Sequence, residues 1–200
     1  MNTASRYDQF APLYEYGERM LEIYLRNKRK LLHKLIKENR ILEVGIGSGR
    51  SISYYKAGTN LFAGDLSRKM MHYAVRRSLS RAIFSKFCSF DIEKLPYKDS
   101  TFPAVVSSLV FCTVNDPLKG LQEIRRVLEP TGSLYMLEHV KPQSKAAQIV
   151  FDALNPLSVS LIGDHLTRNT SELVKDAGFR TVEEYSFALG VFRIVVASKK

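Results

Sequence analysis

The spacing of apolar positions divides the chain into alternating helices and strands. Between Leu13 and Asn39, apolar residues recur every three or four positions with charged residues between them, which predicts a helix. Continuous apolar runs elsewhere predict strands that are buried on both faces of a sheet. Five such strands are predicted, at residues 40–44, 61–65, 82–91, 103–112 and 133–140.

Capping residues mark where two of the intervening helices begin. Ser67 is the predicted N-cap of a helix that runs to about residue 79. Asp116 is the predicted N-cap of a later helix. Pro117 takes the first position of that helix, where a missing backbone N–H costs nothing.

The alternation of strands and helices predicts an α/β fold with a mostly parallel sheet covered on both faces. The end of the chain departs from this order. A helix at 170–177, closed by Gly178, is followed by two β-rich runs, TVEEYSFAL and VFRIVVASK. Because only Gly190 separates these runs, they predict an antiparallel hairpin.

One domain is expected over residues 1–200. A chain of 200 residues with 45% hydrophobic content can form one well-packed core but is too short for two full-sized ones. Its predicted parts are an N-terminal helical extension, a core, a weakly patterned insertion, and a closing helix with hairpin, at 1–38, 39–140, 141–169 and 170–200.

The most informative short segment is ILEVGIGSGRS, where three glycines follow the first predicted strand and lead into a helix expected to begin near Ser48. A phosphate-binding P-loop needs Gly-Lys-Ser/Thr at the helix start, but Gly49 is followed by Arg50. A dinucleotide fingerprint needs G-x-G-x-x-G, and counting from Gly45 puts Arg50 at the third glycine. A tight turn with no ligand remains an alternative at this point.

The segment does match E-x-G-x-G-x-G, and this resembles motif I of the class I S-adenosylmethionine-dependent methyltransferases. The resemblance implies that Gly45, Gly47 and Gly49 let the backbone approach the cofactor, where a side chain would collide. It also gives a role to Glu43, because the cofactor carries a sulfonium and an ammonium group that a carboxylate favours.

Further motifs follow in the order and spacing of that family, over about 41–140. Asp65 ends the second strand, 18 residues after Gly47, where a carboxylate can accept hydrogen bonds from both ribose hydroxyls; its alternative role is to cap the next helix. LPYKDSTF and EIRRVLEPTGSLYMLE resemble family phrases, with Pro103 in place of an aspartate and Thr131 in place of a glycine. The remaining cofactor residues implied by the resemblance are Leu66, Asp91, Ile92 and Leu109.

The implied fold is the Rossmann-like methyltransferase fold, with seven strands in the order 3-2-1-4-5-7-6. The implied cofactor is S-adenosyl-L-methionine, with S-adenosyl-L-homocysteine as product. No metal site is expected. A non-catalytic subunit that binds the cofactor and stabilises a separate enzyme is the alternative of another class, and the intact glycines and Asp65 argue against it.

The acceptor is suggested by a narrower resemblance. YDQFAPLYE, YMLEHVKP and HLTRNTSELVKDAGF resemble segments of bacterial phospholipid N-methyltransferases and of ubiquinone or menaquinone C-methyltransferases. These groups act on amphiphilic or apolar substrates. Phospholipid N-methylation is the leading prediction, and methylation of a quinone precursor or another small molecule is the alternative.

Residues at the end of the fifth strand are the catalytic candidates. Glu138 and His139 lie at the carboxyl edge of the predicted sheet, where they can position the acceptor or remove its proton. A histidine held only by a loop carbonyl is the alternative. Tyr7 and Tyr14 are candidates for a lid that contacts the methionine part of the cofactor or a cationic amine.

Within the predicted insertion, Asp164, His165 and Arg168 are candidates for receiving a phosphate head group. The formal net charge of +10 also points to an anionic partner. The segment 26–37 carries six Lys or Arg and no acid, so one side of this helix is expected to contact an anionic membrane, with Leu, Ile and Tyr along the other.

Other compositional features place the protein in the cytoplasm, with peripheral contact on the inner face of the membrane. No run approaches the roughly 20 apolar residues that span a bilayer, and the first residues do not resemble a signal peptide. Cys88 and Cys112 lie in strand-like runs and are expected to be buried free thiols. Nucleic acid is a disfavoured partner, since no N-P-P-Y or D-P-P-Y motif follows the fourth strand, and the oligomeric state is left open.

Overall fold

A computed structural model describes residues 21–142, 144–162, 164–188 and 190–199. The first described helix, α1, covers residues 21–35. The seven strands are β1 Arg40–Val44, β2 Asn60–Asp65, β3 Phe84–Ser89, β4 Phe102–Ser108, β5 Leu128–His139, β6 Phe179–Phe187 and β7 Phe192–Lys199. The further helices are α2 Arg68–Ser78, α3 Pro117–Val127, α4 Lys145–Ile162 and α5 Thr170–Asp176, with a 3₁₀ helix at Arg50–Tyr54.

The seven strands form one sheet in the order β3-β2-β1-β4-β5-β7-β6. Strands β1 to β5 pair in parallel, whereas β7 is antiparallel to both β5 and β6. The predicted fold class and the closing hairpin are therefore confirmed. The division of the chain into parts, including a single domain over 1–200, stays a prediction.

Two apolar clusters cover the two faces of the sheet. One joins β1, β4 and β5 to α3 and α5, through residues such as Leu42, Leu121 and Val174. The other joins the opposite face to α1 and α2, through residues such as Leu32 and Ala74. Neighbouring residues of a strand point to opposite faces, so the continuous apolar runs noted in the sequence are explained by burial on both sides.

The predicted helix caps are present. The Ser67 hydroxyl accepts a hydrogen bond from the Met70 N–H at 3.2 Å, and the Asp116 carboxylate accepts one from the Lys119 N–H at 3.0 Å. Capping groups of this kind satisfy N–H groups that have no partner within the helix. The beginnings of α2 and α3 are thus fixed by the residues that the sequence identified.

Several element boundaries differ from the sequence prediction. The helix expected near Ser48 is a five-residue 3₁₀ helix, which ends as Tyr55 turns to extended backbone. Strand β4 ends at Ser108 and not at Cys112, because Leu109 adopts a left-handed conformation with φ of 59°. The first helix ends at residue 35, before Asn39, and its predicted residues 13–20 lie outside the described part of the chain.

Two strands also have different limits. Strand β3 is shorter than the predicted 82–91, and β5 begins at Leu128, directly after α3, and not at Ser133. Cys112 is buried as expected, but the prediction for Cys88 is wrong, because its side chain is exposed. The strand order explains this, since β3 lies at the edge of the sheet and is mostly exposed.

The weakly patterned insertion contains an 18-residue helix, α4. Its sequence, KAAQIVFDALNPLSVSLI, is apolar on several sides and contains Pro156, so the periodicity of an amphipathic helix is missing. Ile149 and Val150 are 71% and 54% exposed on this helix. Within the described residues, no helix is long and apolar enough to cross a membrane.

Candidate functional site

The glycine-rich turn lies at the carboxyl end of β1. Gly45, Gly47 and Gly49 have φ values of 66°, 53° and 81°, the left-handed region that favours glycine. A Cβ on Gly45 would lie only 2.4 Å from Val110 Cγ2, and one on Gly49 would lie 2.7 Å from Ala74 Cα. The three glycines therefore meet a backbone requirement, and those at 45 and 49 also meet a spatial one.

Asp65 connects this turn to the end of β2. One carboxylate oxygen accepts a hydrogen bond from the Gly47 N–H at 2.9 Å, and the other accepts one from the Ser67 N–H at 2.9 Å. A carboxylate offers about four lone-pair sites, so an acid at this position can accept several hydrogen bonds at once. The alternative weighed from the sequence, that Asp65 caps the next helix, is not what the structure shows, because Ser67 is the N-cap of α2 and Asp65 accepts the N–H of Ser67 itself. The ribose role of Asp65 stays a prediction.

A pocket with about 950 Å³ of empty space, part of it open solvent, lies above the ends of β1, β2 and β4. Eight residues that the resemblance assigned to the cofactor line it: Glu43, Gly45, Gly47, Asp65, Leu66, Asp91, Ile92 and Leu109. The ninth, Gly49, is not part of the lining and instead packs against α2.

Several lining residues were not identified from the sequence. They are Arg29, Ile46, Arg50, Ser51, Met70, Phe90, Glu93, Ser108, Val110, Thr113, Val114 and Asn115. A signal for Arg29 was available, because it interrupts the buried stripe of α1 formed by Leu25, Leu32 and Ile36. A charged residue at such a position needs a partner. Most of the others lie on loops, where periodicity gives no information; the exceptions are Arg50 and Ser51 in the 3₁₀ helix, Met70 in α2 and Ser108 at the end of β4.

Glu43 is a buried acid at the floor of the pocket. It is 2% exposed, and its Oε2 accepts a hydrogen bond from the Tyr55 hydroxyl at 2.9 Å. Burial raises the pKa of Glu43 to about 7, against the opposing effects of its hydrogen bonds and of the Arg29 charge. A cationic ligand group beside this carboxyl would favour its ionised form.

Glu138 is buried and accepts hydrogen bonds from β4 and from the loop that follows it. It is 2% exposed, and its Oε1 accepts hydrogen bonds from the Ser107 hydroxyl at 3.1 Å and from the N–H groups of Val110 at 3.1 Å and Phe111 at 3.4 Å. These bonds hold the loop that follows β4. Burial raises the pKa of Glu138 to about 7. Glu138 does not line the pocket, so its predicted catalytic role stays a prediction.

His139 and Asp164 form a buried pair. His139 is 8% exposed, and its Nε2 lies 2.9 Å from Asp164 Oδ1. Within the described residues, its Nδ1 is buried and has no hydrogen-bond partner. Burial lowers the pKa of His139, but the hydrogen bond and charge of Asp164 outweigh it and hold that pKa above its usual value of 6.5.

Cys112 lies beside this pair, with its sulfur, a His139 nitrogen and an Asp164 oxygen all within 4.8 Å of one another. Burial and the neighbouring Asp164 carboxylate raise the pKa of the Cys112 thiol, so it stays protonated. Since Cys, His and Asp are also metal-binding types, the expectation that no metal binds stays a prediction.

Two of the three head-group residues proposed from the sequence, Asp164 and Arg168, hydrogen-bond other groups of the protein through their side chains. Arg168 donates hydrogen bonds to the carbonyl oxygens of Val114, at 2.8 Å, and Phe111. The backbone N–H of His165 donates a hydrogen bond to the backbone carbonyl of Cys112 at 2.9 Å. These contacts fasten the segment after α4 to the loop after β4. Tyr7 and Tyr14, the lid candidates, lie outside the described residues.

The lining residues fit S-adenosylmethionine. An acceptor for ribose hydroxyls stands at Asp65, apolar surface for an adenine at Ile92, and a turn of left-handed glycines between β1 and the 3₁₀ helix. Glu43, buried at the β1 end, is suited to a cationic group. Groups suited to the ribose, the adenine and the cationic part of the cofactor thus line one pocket.

Comparison with known proteins agrees with this fit. Residues 42–136 match the family model of the methyltransferase domain. The chain is 34% identical over 154 residues to thiol S-methyltransferase TMT1B of Rattus norvegicus, covering 73% of the chain and 62% of the rat protein. It is 30% identical over 128 residues to demethylmenaquinone methyltransferase of Protochlamydia amoebophila, covering 54% of the chain and 53% of that protein. It thus spans only about half to three fifths of the length of these relatives.

A solved structure from another organism has the same fold. A solved S-adenosylmethionine-dependent methyltransferase of Thermotoga maritima superimposes with a TM-score of 0.75, at 19% identity and with 100% of both chains covered. That likeness, at low identity, concerns the fold alone. Taken with the matched domain and the sequence relatives, it shows that the chain belongs to the class I S-adenosylmethionine-dependent methyltransferases, whose cofactor is S-adenosylmethionine.

Proposed function

We propose that the protein transfers a methyl group from S-adenosylmethionine to a lipophilic small molecule, with a thiol as the accepting group. The observation that carries the proposal is the His139 imidazole, whose Nε2 faces Asp164 while its buried Nδ1 has no partner among the described residues. A buried nitrogen without a partner is costly, and the X–H group of an acceptor would satisfy it.

Asp164 selects the form of His139 that can act as a base. A carboxylate accepts a hydrogen bond, so Nε2 carries the proton and Nδ1 presents its lone pair. Asp164 also stabilises the imidazolium that forms when Nδ1 takes a proton. The relationship is that of a general base and the group that orients it.

The pKa of the acceptor favours a thiol over an amine. A general base is most effective when its pKa is close to that of the group it deprotonates. Thiols have a pKa of roughly 8.5, whereas alkyl ammonium groups have one of roughly 10.4. The gap between the pKa of His139 and that of the acceptor is therefore smaller for a thiol than for an ammonium group by about two units, the difference between the two acceptors.

The pocket residues have a separate task. When bound, S-adenosylmethionine supplies a methyl group on a positively charged sulfur, which is reactive without metal or acid assistance. Asp65 would hold the ribose, Ile92 would cover the adenine, and Glu43 would lie near the cationic part. These residues orient the reactants and exclude water, which is the main contribution an enzyme makes to a methyl displacement.

Names of relatives support the thiol and a quinone precursor as acceptors. The rat relative is a thiol S-methyltransferase and the Protochlamydia relative a demethylmenaquinone methyltransferase. Phospholipid N-methylation, the leading prediction from the sequence, has less support, because the Arg168 guanidinium proposed for its phosphate already binds backbone carbonyls. It remains the third acceptor to test, after the thiol and the quinol.

The proposal is tested with S-adenosylmethionine labelled in its methyl group and three acceptors: an alkyl thiol, a demethylmenaquinol, and phosphatidylethanolamine vesicles. We expect label to enter the organic phase with the thiol, and mass spectrometry to identify a thioether. Transfer to the quinol or the phospholipid alone would contradict thiol methylation. Binding of S-adenosylhomocysteine without transfer to any acceptor would support the non-catalytic alternative.

We also propose that the protein contacts an anionic membrane. The apolar stripe of α1 is buried in the core, so only its cationic side is available to a bilayer. Two features support contact. One is a set of exposed cations on α1 and directly after it, namely Arg26, Lys30, Lys34 and Lys37; the other is a set of exposed aliphatic side chains on α4, namely Ile149, Val150 and Leu154. Cations and inserted aliphatic groups are the two elements of peripheral binding.

Vesicle sedimentation tests this contact. The protein should bind phosphatidylcholine vesicles containing phosphatidylserine several-fold more than neutral ones, and added salt should weaken the binding. Replacing Ile149 and Leu154 by serine should reduce binding, whereas Val182→Ser, which alters an equally exposed aliphatic side chain on β6, serves as the control. Equal binding to both vesicle types would eliminate the electrostatic contribution.

A further inference from the structure

Arg29 is a buried cation on a helix that otherwise packs apolar residues on the sheet. It is 6% exposed, and it lies on the same side of α1 as Leu25, Leu32 and Ile36. Burying a guanidinium is unfavourable unless its N–H groups have partners. Its place on this stripe therefore calls for an explanation in terms of what it binds.

Two hydrogen bonds direct Arg29 toward the carboxyl edge of the sheet. Its Nε donates to Glu22 at 2.9 Å, and its Nη1 donates to the Ser108 hydroxyl at 2.7 Å. Glu22 in turn accepts a hydrogen bond from the Tyr54 hydroxyl at 2.6 Å. Arginine has five N–H donors, and the two bonds from Nε and Nη1 use two of them. Arg29 also lines the pocket, so its guanidinium can reach a ligand there.

The strand order determines which end of the pocket each lining residue occupies. The sheet runs β3-β2-β1-β4, and the lining residues follow this order: Asp91 after β3, Asp65 at the end of β2, Glu43 on β1 and Ser108 at the end of β4. If the adenine and ribose lie over the β3 and β2 ends, the amino-acid part of the cofactor lies over β1 and β4. Arg29 is on that side, because it bonds Ser108.

An amino-acid group needs one anionic and one cationic partner. Glu43 supplies the anionic side, and its carboxyl is close enough to Arg29 to feel its positive charge. A guanidinium recognises a carboxylate well because its planar donors match the two oxygens. Arg50 is the other arginine that lines the pocket, but it is only partly buried and belongs to the 3₁₀ helix.

We propose that Arg29 binds the α-carboxylate of the cofactor, so that α1 completes the amino-acid end of the pocket. The inference rests on the proposed function only in that S-adenosylmethionine and its product bind in this pocket. It adds a cofactor-binding residue from outside the glycine motif, supplied by α1.

The test compares two ligands by calorimetry: S-adenosylhomocysteine, and 5′-methylthioadenosine, which has the adenosine and sulfur but lacks the amino-acid carboxylate. For Arg29→Met, affinity for S-adenosylhomocysteine should fall about tenfold or more, the effect of losing a charge-assisted hydrogen bond. Affinity for 5′-methylthioadenosine should stay within about twofold, because this ligand makes no contact with Arg29. The control is Arg26→Met, an exposed arginine three residues away on the same helix.

Other outcomes would overturn the proposal in distinct ways. An equal loss for both ligands in Arg29→Met would mean that Arg29 only supports the pocket. A selective loss in Arg50→Met and not in Arg29→Met would assign the carboxylate to Arg50. If the wild-type protein binds neither ligand, the proposed function fails before the question of Arg29 arises.

Discussion

Replacing His139 by glutamine is expected to lower the turnover number by about 100-fold or more, while affinity for S-adenosylhomocysteine changes less than about twofold. General-base catalysis typically contributes a factor of that size. Glutamine keeps much of the size of the side chain but has no titratable nitrogen. His139 does not line the pocket, so its replacement should leave cofactor affinity nearly unchanged. Steady-state kinetics with the accepted thiol, together with calorimetry, measure the two effects.

The pH profile gives the same prediction a second readout. Only neutral His139 can accept a proton, so kcat/KM should rise with pH through its pKa, which Asp164 holds above 6.5. Asp164→Asn should move this limb to lower pH, because it removes the charge that stabilises the imidazolium. The matched control is His72→Gln on the exposed face of α2. Full activity of His139→Gln would remove the imidazole from the mechanism.

Gly45→Ala should weaken S-adenosylhomocysteine binding about tenfold or more. The new Cβ would lie 2.4 and 2.7 Å from the two methyl carbons of Val110, which is a stiff side chain in the pocket lining. Either Val110 or the turn must move, and both line the site. The left-handed φ of 66° adds about 1–2 kcal/mol of strain for a residue with a side chain.

Gly58→Ala separates the two effects of that substitution. Gly58 has a φ of 80°, so alanine is strained there as well, but a Cβ at this position meets nothing within 4 Å. Both variants should lose thermal stability, and only Gly45→Ala should lose ligand affinity. If both lose stability while both keep the wild-type affinity, the close approach of backbone to cofactor at Gly45 is contradicted.

The glycine turn and the acids at the strand ends of the pocket could be predicted from the sequence because local rules determine them. Left-handed glycines after a buried strand, and an acid at the end of the next strand, follow from the backbone and from parallel strand order. The structure then brings Glu43, Gly47 and Asp65 into one pocket without help from distant parts of the chain. These residues are close because their strands are adjacent.

Features that depend on tertiary contacts were less predictable. His139 pairs with Asp164, 25 positions later in the sequence, and α4 lies between them. The largely apolar sequence of α4 does not show the periodicity of an amphipathic helix, so the sequence did not predict this helix. The left-handed Leu109 shortens β4, and the cause, hydrogen bonds from Val110 and Phe111 to Glu138, comes from another strand. Arg29 reaches Ser108 over 79 positions of sequence. None of these contacts leaves a short-range pattern.

The exposure of Cys88 illustrates the same limit. Its strand has the apolar composition of a buried element, but whether a strand is central or at an edge depends on the order in which strands pair. That order places β3 last, beyond β2, so the outer side of the strand has no neighbour in the sheet. Composition alone does not contain this information.

The measurement that tests the central claim most directly is calorimetric titration of the wild-type protein and of Asp65→Ala with S-adenosylhomocysteine. The account predicts one-to-one binding by the wild type and an affinity about tenfold or more weaker for the variant, because Asp65 both fixes the Gly47 turn and faces the pocket. No binding by the wild type, or equal affinity in the two proteins, would contradict the assignment of this pocket to the cofactor.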